Sequence, residues 1–368
     1  MNKSRVVVCI LLLAWLMVKE PTKEKDIFFE MTSQMVPLLT YEQEYGKNDI
    51  DYATTYDFPE WFYEDEGELP VNGDIATLDE QTEVNNLDEN VTTLSDGIGG
   101  TTFTREQISN PDFLLSHIFV VDANTHMTEE ELSPGNLLDR DLTVKGLKSE
   151  SVAESKKNKE YKVLIYHTHA SEAFADSREG YPEDTIVGVG TYLTQLLEEQ
   201  YGIAVYHDTT TYDMIDGVLD RSKAYENSYN GVSKILKENP SIEVVIDLHR
   251  DGVDEDIHLV TDINGKKTAK IMFLNGVSRS SMNGEIAYLE NPNKLTNLAF
   301  SFQMYLTGKE HYGDYVRKIY VRSLRYNLHV MPRATLIEVG AQNNTLEEEK
   351  NAMEPLAAIL DKVLSEEK

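Results

Sequence analysis

Hydrophobic positions divide this chain into three parts. Val6 to Val18 form one continuous apolar run behind Lys3 and Arg5. From residue 21 to about 100 no helical or alternating period is sustained, so this stretch offers no face on which a core could be built. Beyond residue 100 the pattern becomes regular. Phe113-Leu114-Leu115 and Ile118-Phe119-Val120-Val121 begin it, and residues 150–160, rich in Ser and Lys, read as a polar loop. Two strand-length apolar stretches then stand out, Tyr161 to Tyr166 and Ile242 to Leu248, and each ends abruptly in histidine. Runs of this length fit strands buried on both faces of a parallel sheet.

The elements around them alternate in kind. A helix is predicted near 185–201, with Val189, Leu193, Leu196 and Leu197 on one face and Gly202 as its stop. A strand over Ile203–Tyr206 follows, then a helix near 222–237 with Tyr225, Tyr229, Val232 and Leu236 at helical, core-facing spacing. After the His249 strand come a strand over Ala269–Leu274 and a helix near 294–306 carrying Leu295, Leu298 and Phe302. Strands over Ile319–Val321 and Ala334–Val339 precede a last helix from about Leu346 to Leu364. This alternation predicts an α/β fold, a twisted and largely parallel sheet flanked by helices.

Charge sharpens the boundary. The formal net charge is −30, and residues 41–95 hold sixteen Asp and Glu against Lys47 alone, about half the imbalance. That segment reads as a disordered acidic linker, set here at 21–100. No basic patch is present to neutralise phosphates, which argues against nucleic acid as a partner. The single cysteine, Cys9, lies in the N-terminal apolar run, so no intrachain disulfide can form and the fold must stand on its core. Residues 1–20 have the charged start and apolar run of a signal sequence. Lys19-Glu20-Pro21-Thr22-Lys23 offers no small-x-small cleavage site, so an uncleaved signal-anchor is expected, with secretion after cleavage as the alternative.

Ligands of open α/β sheets bind at the carboxyl ends of the strands. There His169-x-x-Glu172 can converge from one tight turn, while His249 arrives from a separate strand. Two imidazoles and a carboxylate with a fourth position open to water suit a hydrolytic zinc site, whereas a strand-end histidine bonded to a nearby acid would be inert. His167, two residues before His169, shares its strand face by alternation and is placed beside the ligands rather than among them. His-x-His after a first strand also opens metal sites in amidohydrolase barrels, but eight βα units are not apparent. Glu338 sits in an apolar strand, where a lone acid is costly unless it is paired or functional. It reads either as a general base beside a metal-bound water or as the ion-pair partner of Arg333 or Arg325. Arg250 could clamp a substrate carboxylate or pair with Asp251. Asn343 and Asn344 read as caps of the last helix or as contacts to substrate, capping being the cheaper of the two. The remaining histidines, His207, His258 and His329 among them, have no partner pattern. A phosphate-binding glycine loop, a Gly-x-Ser-x-Gly elbow and a cysteine nucleophile are all missing from the folded part.

Three motifs in order carry a resemblance: Leu164-Ile165-Tyr166-His167-Thr168-His169-x-x-Glu172-x-Phe174, Ile246-Asp247-Leu248-His249-Arg250-Asp251 and Ile337-Glu338-Val339-Gly340-Ala341-Gln342-Asn343-Asn344-Thr345. With Arg322-x-x-x-Tyr326-Asn327, they make residues 110–365 resemble the stage II sporulation protein P family. The resemblance implies an amidase-like fold and a zinc-dependent peptidoglycan hydrolase over residues 101–368. Its reaction would be cleavage between the N-acetylmuramic acid lactyl carbonyl and the L-alanine of the stem peptide, with peptide crosslinks as a second target. It further implies Zn2+ on His169, Glu172 and His249, and Glu338 as catalytic acid/base. The setting it implies is forespore engulfment: one N-terminal anchor in the cell membrane, the enzyme on the extracytoplasmic side, and sporulation partners including a lytic transglycosylase. Two other readings of the same residues are a metallo-carboxypeptidase or endopeptidase, and a non-catalytic wall-binding domain.

Overall fold

Seven strands form the central sheet of the structure, a computed structural model that describes residues 100–366 apart from Asp216. They are β1 (Phe119–Val121), β2 (Val163–Tyr166), β3 (Val205–His207), β4 (Val244–Asp251), β5 (Ile271–Gly276), β6 (Ile319–Arg322) and β7 (Ala334–Ala341). Their spatial order is β1-β6-β5-β7-β4-β2-β3. The pairings β1–β6, β6–β5, β7–β4, β4–β2 and β2–β3 are parallel, and only β5–β7 is antiparallel. The sheet is therefore two parallel blocks facing opposite ways, mixed but mostly parallel as expected. The expected signal-anchor over 1–20 and nearly all of the expected acidic linker over 21–100 lie outside the described residues. No helix among the described residues is long and apolar enough to cross a membrane.

Alternate residues of each run enter two different cores, which is why the runs are continuous rather than alternating. Val163 and Ile165 of β2 join one cluster, Leu164 and Tyr166 the other. Val244, Ile246 and Leu248 of β4 face the first core and Val245 the second. In β7, Ile337 and Val339 face the first, Ala334 and Leu336 the second. Helices α1 (Ile186–Tyr201), α3 (Lys294–Tyr312) and α4 (Leu346–Leu364) cover the first face, through residues such as Val189, Phe302 and Leu356. Between α1 and α3 in sequence, α2 (Ala224–Glu238) covers the second with Tyr225 and Val232. Thr185 caps α1, and Gly202 ends it in the left-handed conformation at φ 69°.

Three local expectations need correction. Residues 150–160 are not all loop: Ser151 caps a short helix, Val152–Lys157, and Lys156 ties it to Glu198 at 2.7 Å. The helix predicted near 294–306 continues to Tyr312, because its last turn is polar and carries no period to read. Asn343 and Asn344 do not cap α4. Thr345 does, in a capping box with Glu348, while Asn344 accepts from Ala341 N and donates to Leu259 O, and Asn343 donates to Asp254 O and Ile257 O. They tie the loop before α4 to the segment after β4.

Candidate active site

The carboxyl ends of β2, β4 and β7 are neighbours, and the polar residues gather there. Strand register sets Glu338 beside His249 and Tyr166 beside Asp247. Past β2 the chain turns at once: Glu172 N–H donates to His169 O at 3.1 Å, and Asp213 accepts from both the N–H and the hydroxyl of Ser171. This turn carries His169 and Glu172 over β4. The rings of His169 and His249 meet edge to face, 5.3 Å between centroids, and Glu172 Oε2 lies 3.5 Å from His249 Nδ1. Arg250 N–H donates to the same Glu172 oxygen at 3.0 Å. Between Glu338 and Ala341 the pairing of β7 slips, at a bulge where Gly340 has φ 50°; a Cβ there would overlap Glu349 Oε1.

His167 takes another course. Strand alternation turns it onto the α1 face, where its Nδ1 donates to Leu248 O at 2.9 Å and its Nε2 meets His207 Nε2 at 2.9 Å. The expected shared face with His169 does not exist, because β2 ends at Tyr166 and the turn carries His169 to the other side of the sheet. His207 thus has a partner that sequence spacing could not reveal. So does His258, 2.8 Å from Glu348, and His329 stacks on Tyr229 with 5.0 Å between ring centroids.

Burial works against every charge in the site, and the neighbours decide the outcome. It opposes ionisation of Glu172, yet His249, His169 and Arg250 bring that carboxyl down to about 2. It opposes a charge on His249, yet Asp247 and Glu172 hold that imidazole well above its ordinary range. Asp247 stays below the usual range against burial, held by His249 and by Thr168, which donates to both of its oxygens. His249 Nε2 lies 2.8 Å from Asp247 Oδ1, close but poorly aligned for a hydrogen bond. For Glu338 burial prevails, with Asp251 and Glu172 adding to it, and the carboxyl rises to about 8. Its residue surface is only partly covered, but Oε2 is buried and has no hydrogen-bond partner.

The ion-pair alternatives do not hold. Arg333 donates to Leu142 O and Thr143 O, Arg325 donates to Glu290 O, and Glu338 Oε2 accepts from neither. Arg250 donates to the backbone oxygens of Ala173 and Asp251, while the Asp251 carboxylate pairs with Arg317 at 2.7 Å. Tyr225, read from spacing as core, sets its ring edge-on to His169 at 5.7 Å. Asp247 and Asp213 went unnoticed in the sequence. Asp247 was visible as a charge inside an apolar run, and Asp213 had no signal.

The zinc expected from the resemblance needs three donors. Glu172 Oε2 and His249 Nδ1 have the separation of two ligands on one small ion, given Zn–N and Zn–O bonds of about 2.0–2.2 Å. Among the described residues no three His, Cys, Asp or Glu side chains stand as a ready metal-holding group, and His169 meets His249 edge-on instead. The donor chemistry fits nonetheless. Two imidazoles and a carboxylate are buried beside the carboxylate of Asp247, and Asp247 and Glu172 together draw a positive charge onto His249, a place that a metal cation could take.

Comparison with known proteins decides the family. The profile of Stage II sporulation protein P (SpoIIP) matches residues 105–361. The chain belongs to the stage II sporulation protein P family. Stage II sporulation protein P of Bacillus subtilis (strain 168) is 25% identical over 211 residues, 55% of this chain and 50% of that protein. The chain thus matches about half the length of that curated relative. Among solved structures, an N-acetylmuramoyl-L-alanine amidase from Clostridium difficile 630 is 18% identical, covering 55% of this chain and 94% of its own, with a TM-score of 0.33. The catalytic domain of CwlV, an N-acetylmuramoyl-L-alanine amidase from Bacillus (Paenibacillus) polymyxa var. colistinus, is 16% identical, covering 55% and 97%, with a TM-score of 0.32.

Proposed function

We propose that this chain is a zinc-dependent peptidoglycan hydrolase of sporulation that cleaves the amide between N-acetylmuramic acid and the L-alanine of the stem peptide. One observation carries the reading: Glu338, with its buried and unpartnered Oε2, is in register with His249 at the mouth of the sheet, and His249 is 3.5 Å from Glu172. A proton-shuttling carboxyl beside a His-Glu pair is what metal-assisted amide hydrolysis requires. Family membership supports the sporulation setting.

His169, Glu172 and His249 would hold the ion. Bound there, zinc supplies an acidified water and a Lewis acid for the scissile carbonyl. The chain's own groups do the rest. Asp247 and Glu172 flank His249 and favour its charge, and the Arg250 N–H holds Glu172. Glu338 takes up a proton at Oε2 as water adds to the carbonyl, then gives it to the departing L-alanine nitrogen. A carboxyl already raised by burial is suited to both halves of that transfer. In this reading residues 1–20 anchor the chain in the cell membrane, the linker spans outward, and the hydrolase works on the extracytoplasmic wall with other engulfment proteins, including a lytic transglycosylase.

The test is direct. Full chain is incubated with purified peptidoglycan, with chelator, and with zinc restored after chelator, and products are weighed by mass spectrometry. Stem peptides with free L-alanine amino ends, lost with chelator and regained with zinc, are expected. Crosslinks cut with every stem still on glycan would make the chain an endopeptidase instead. Intact wall in all three arms would sink the hydrolase reading.

A further inference from the structure

A line of buried hydrogen bonds runs from the site to a strained corner after β6, and the proposed chemistry leaves it unused. At that corner Tyr326 and Asn327 have φ of 47° and 57°, two consecutive non-glycine residues in the left-handed region. Such backbone persists only where its surroundings hold it. The hold is the Asn327 amide, which donates to Tyr225 O at 2.8 Å and to Ser228 Oγ at 3.1 Å. Ser228 Oγ meets Thr168 Oγ1 at 3.0 Å, and Thr168 donates its hydroxyl to Asp247 Oδ2 at 2.7 Å and its N–H to Oδ1 at 2.9 Å.

The direction of the line follows from the groups. A carboxylate only accepts, so the Thr168 proton goes to Asp247. The Ser228 proton then remains for Thr168 Oγ1, shared with Tyr225 O at 3.2 Å, and the Asn327 amide feeds Ser228. Donors in series, all pointing toward one carboxylate, polarise one another. That carboxylate flanks His249. The same amide also grips the backbone of Tyr225, whose ring meets His169 on one side and Tyr326, at 5.5 Å, on the other.

We infer that Asn327 is a positioning residue for both histidines: its amide, fixed in the left-handed corner, sets the Asp247 carboxylate through Ser228 and Thr168, and sets the edge that His169 packs against through Tyr225. The inference rests on the reading of His169 and His249 as ligands of one ion.

Three variants of the full chain test it. Asn327→Gly tolerates the left-handed backbone and deletes the amide. Ser228→Ala cuts the line one link on, without touching the corner, and serves if the first variant fails to fold. Asn264→Gly is the control, since Asn264 has φ 55° in the exposed turn with Gly265 and belongs to no such line. The first readout is amide exchange at Thr168 in chelator-treated protein. It should quicken about tenfold or more in Asn327→Gly and Ser228→Ala, and stay unchanged in Asn264→Gly. The second is zinc affinity by chelator competition, expected to fall about 10–100-fold in each, with the double variant no worse than the weaker single. Unchanged Thr168 exchange in folded Asn327→Gly and Ser228→Ala would overturn the inference, as would losses that multiply in the double variant. If native protein retains no zinc, the ligand reading fails, while the exchange result still decides whether Asn327 sets Asp247.

Discussion

His167 and His249 stand at the ends of adjacent strands, and both are almost wholly buried, at 0% and 3% exposure. Their surroundings differ in one respect. His167 is bonded to a backbone oxygen and to another imidazole, and burial pushes it down to about 4 and its partner His207 to about 3. His249 meets the same burial but lies between Asp247 and Glu172, and their charges hold it well above the ordinary value. One side of the sheet has a neutral pair that needs nothing more. The other has charge that only a proton or a cation can balance. Depth alone does not set the charge of a histidine; the carboxylates around it do.

The strongest way to break this contrast is to remove a donor from the charged side. His169→Ala or His249→Ala should abolish zinc retention and wall hydrolysis, as read by metal content after desalting and by soluble muropeptides. Either variant keeping its zinc would place the ion elsewhere. Next in size is Glu338→Gln, which keeps the hydrogen-bonding shape but cannot shuttle a proton. Turnover should drop by roughly 10²–10⁴ with zinc content and melting temperature near native. A zinc-loaded, folded variant with near-normal turnover would remove Glu338 from the chemistry.

How far the sequence reaches can be seen at the same residues. The apolar runs of β2 and β4 and the period of α1 were legible because burial on both sheet faces and on one helix face leaves a direct imprint on composition. The approach of Glu338 to His249 was only half legible: each motif could be read, but the register that joins them belongs to the pairing of β7 with β4. Three things left no local trace. The facing of His167 depended on where β2 stops, the His167–His207 bond joins residues 40 apart, and Asp213 reaches the turn at Ser171 from a different segment. The antiparallel join between β5 and β7 was equally hidden, since strand direction is not a property of a strand's own residues.

The neutral side gives a smaller and different effect. His207→Ala leaves His167 Nε2 buried without its partner, which should cost about 1–3 kcal/mol in denaturant unfolding. Zinc affinity should be unchanged, because His167 faces away from Glu172 and His249. A zinc loss comparable to that of a ligand variant would mean that the two sides of the sheet are coupled after all.

Glu349 carries the comparison to a carboxylate. It is fully buried in α4, and neither oxygen has a hydrogen-bond partner among the described residues. Burial, reinforced by the charge of Glu348 and only partly offset by Arg250, raises its carboxyl well above the ordinary value of 4.5. Like His167, it has no counter-charge close enough and gives up its own. The sign follows from linkage. Well below pH 4.5, both folded and unfolded chains hold the proton and the group carries no penalty. As pH rises toward the raised folded value, the unfolded chain alone ionises, so stability falls. Glu349→Gln has no proton to lose, and its stability relative to native should therefore grow between pH 6 and pH 8. Unfolding of both proteins in denaturant, in chelator to hold the metal site constant, measures that difference. Curves that run parallel across the interval would mean that Glu349 is ionised in the fold and has a partner after all.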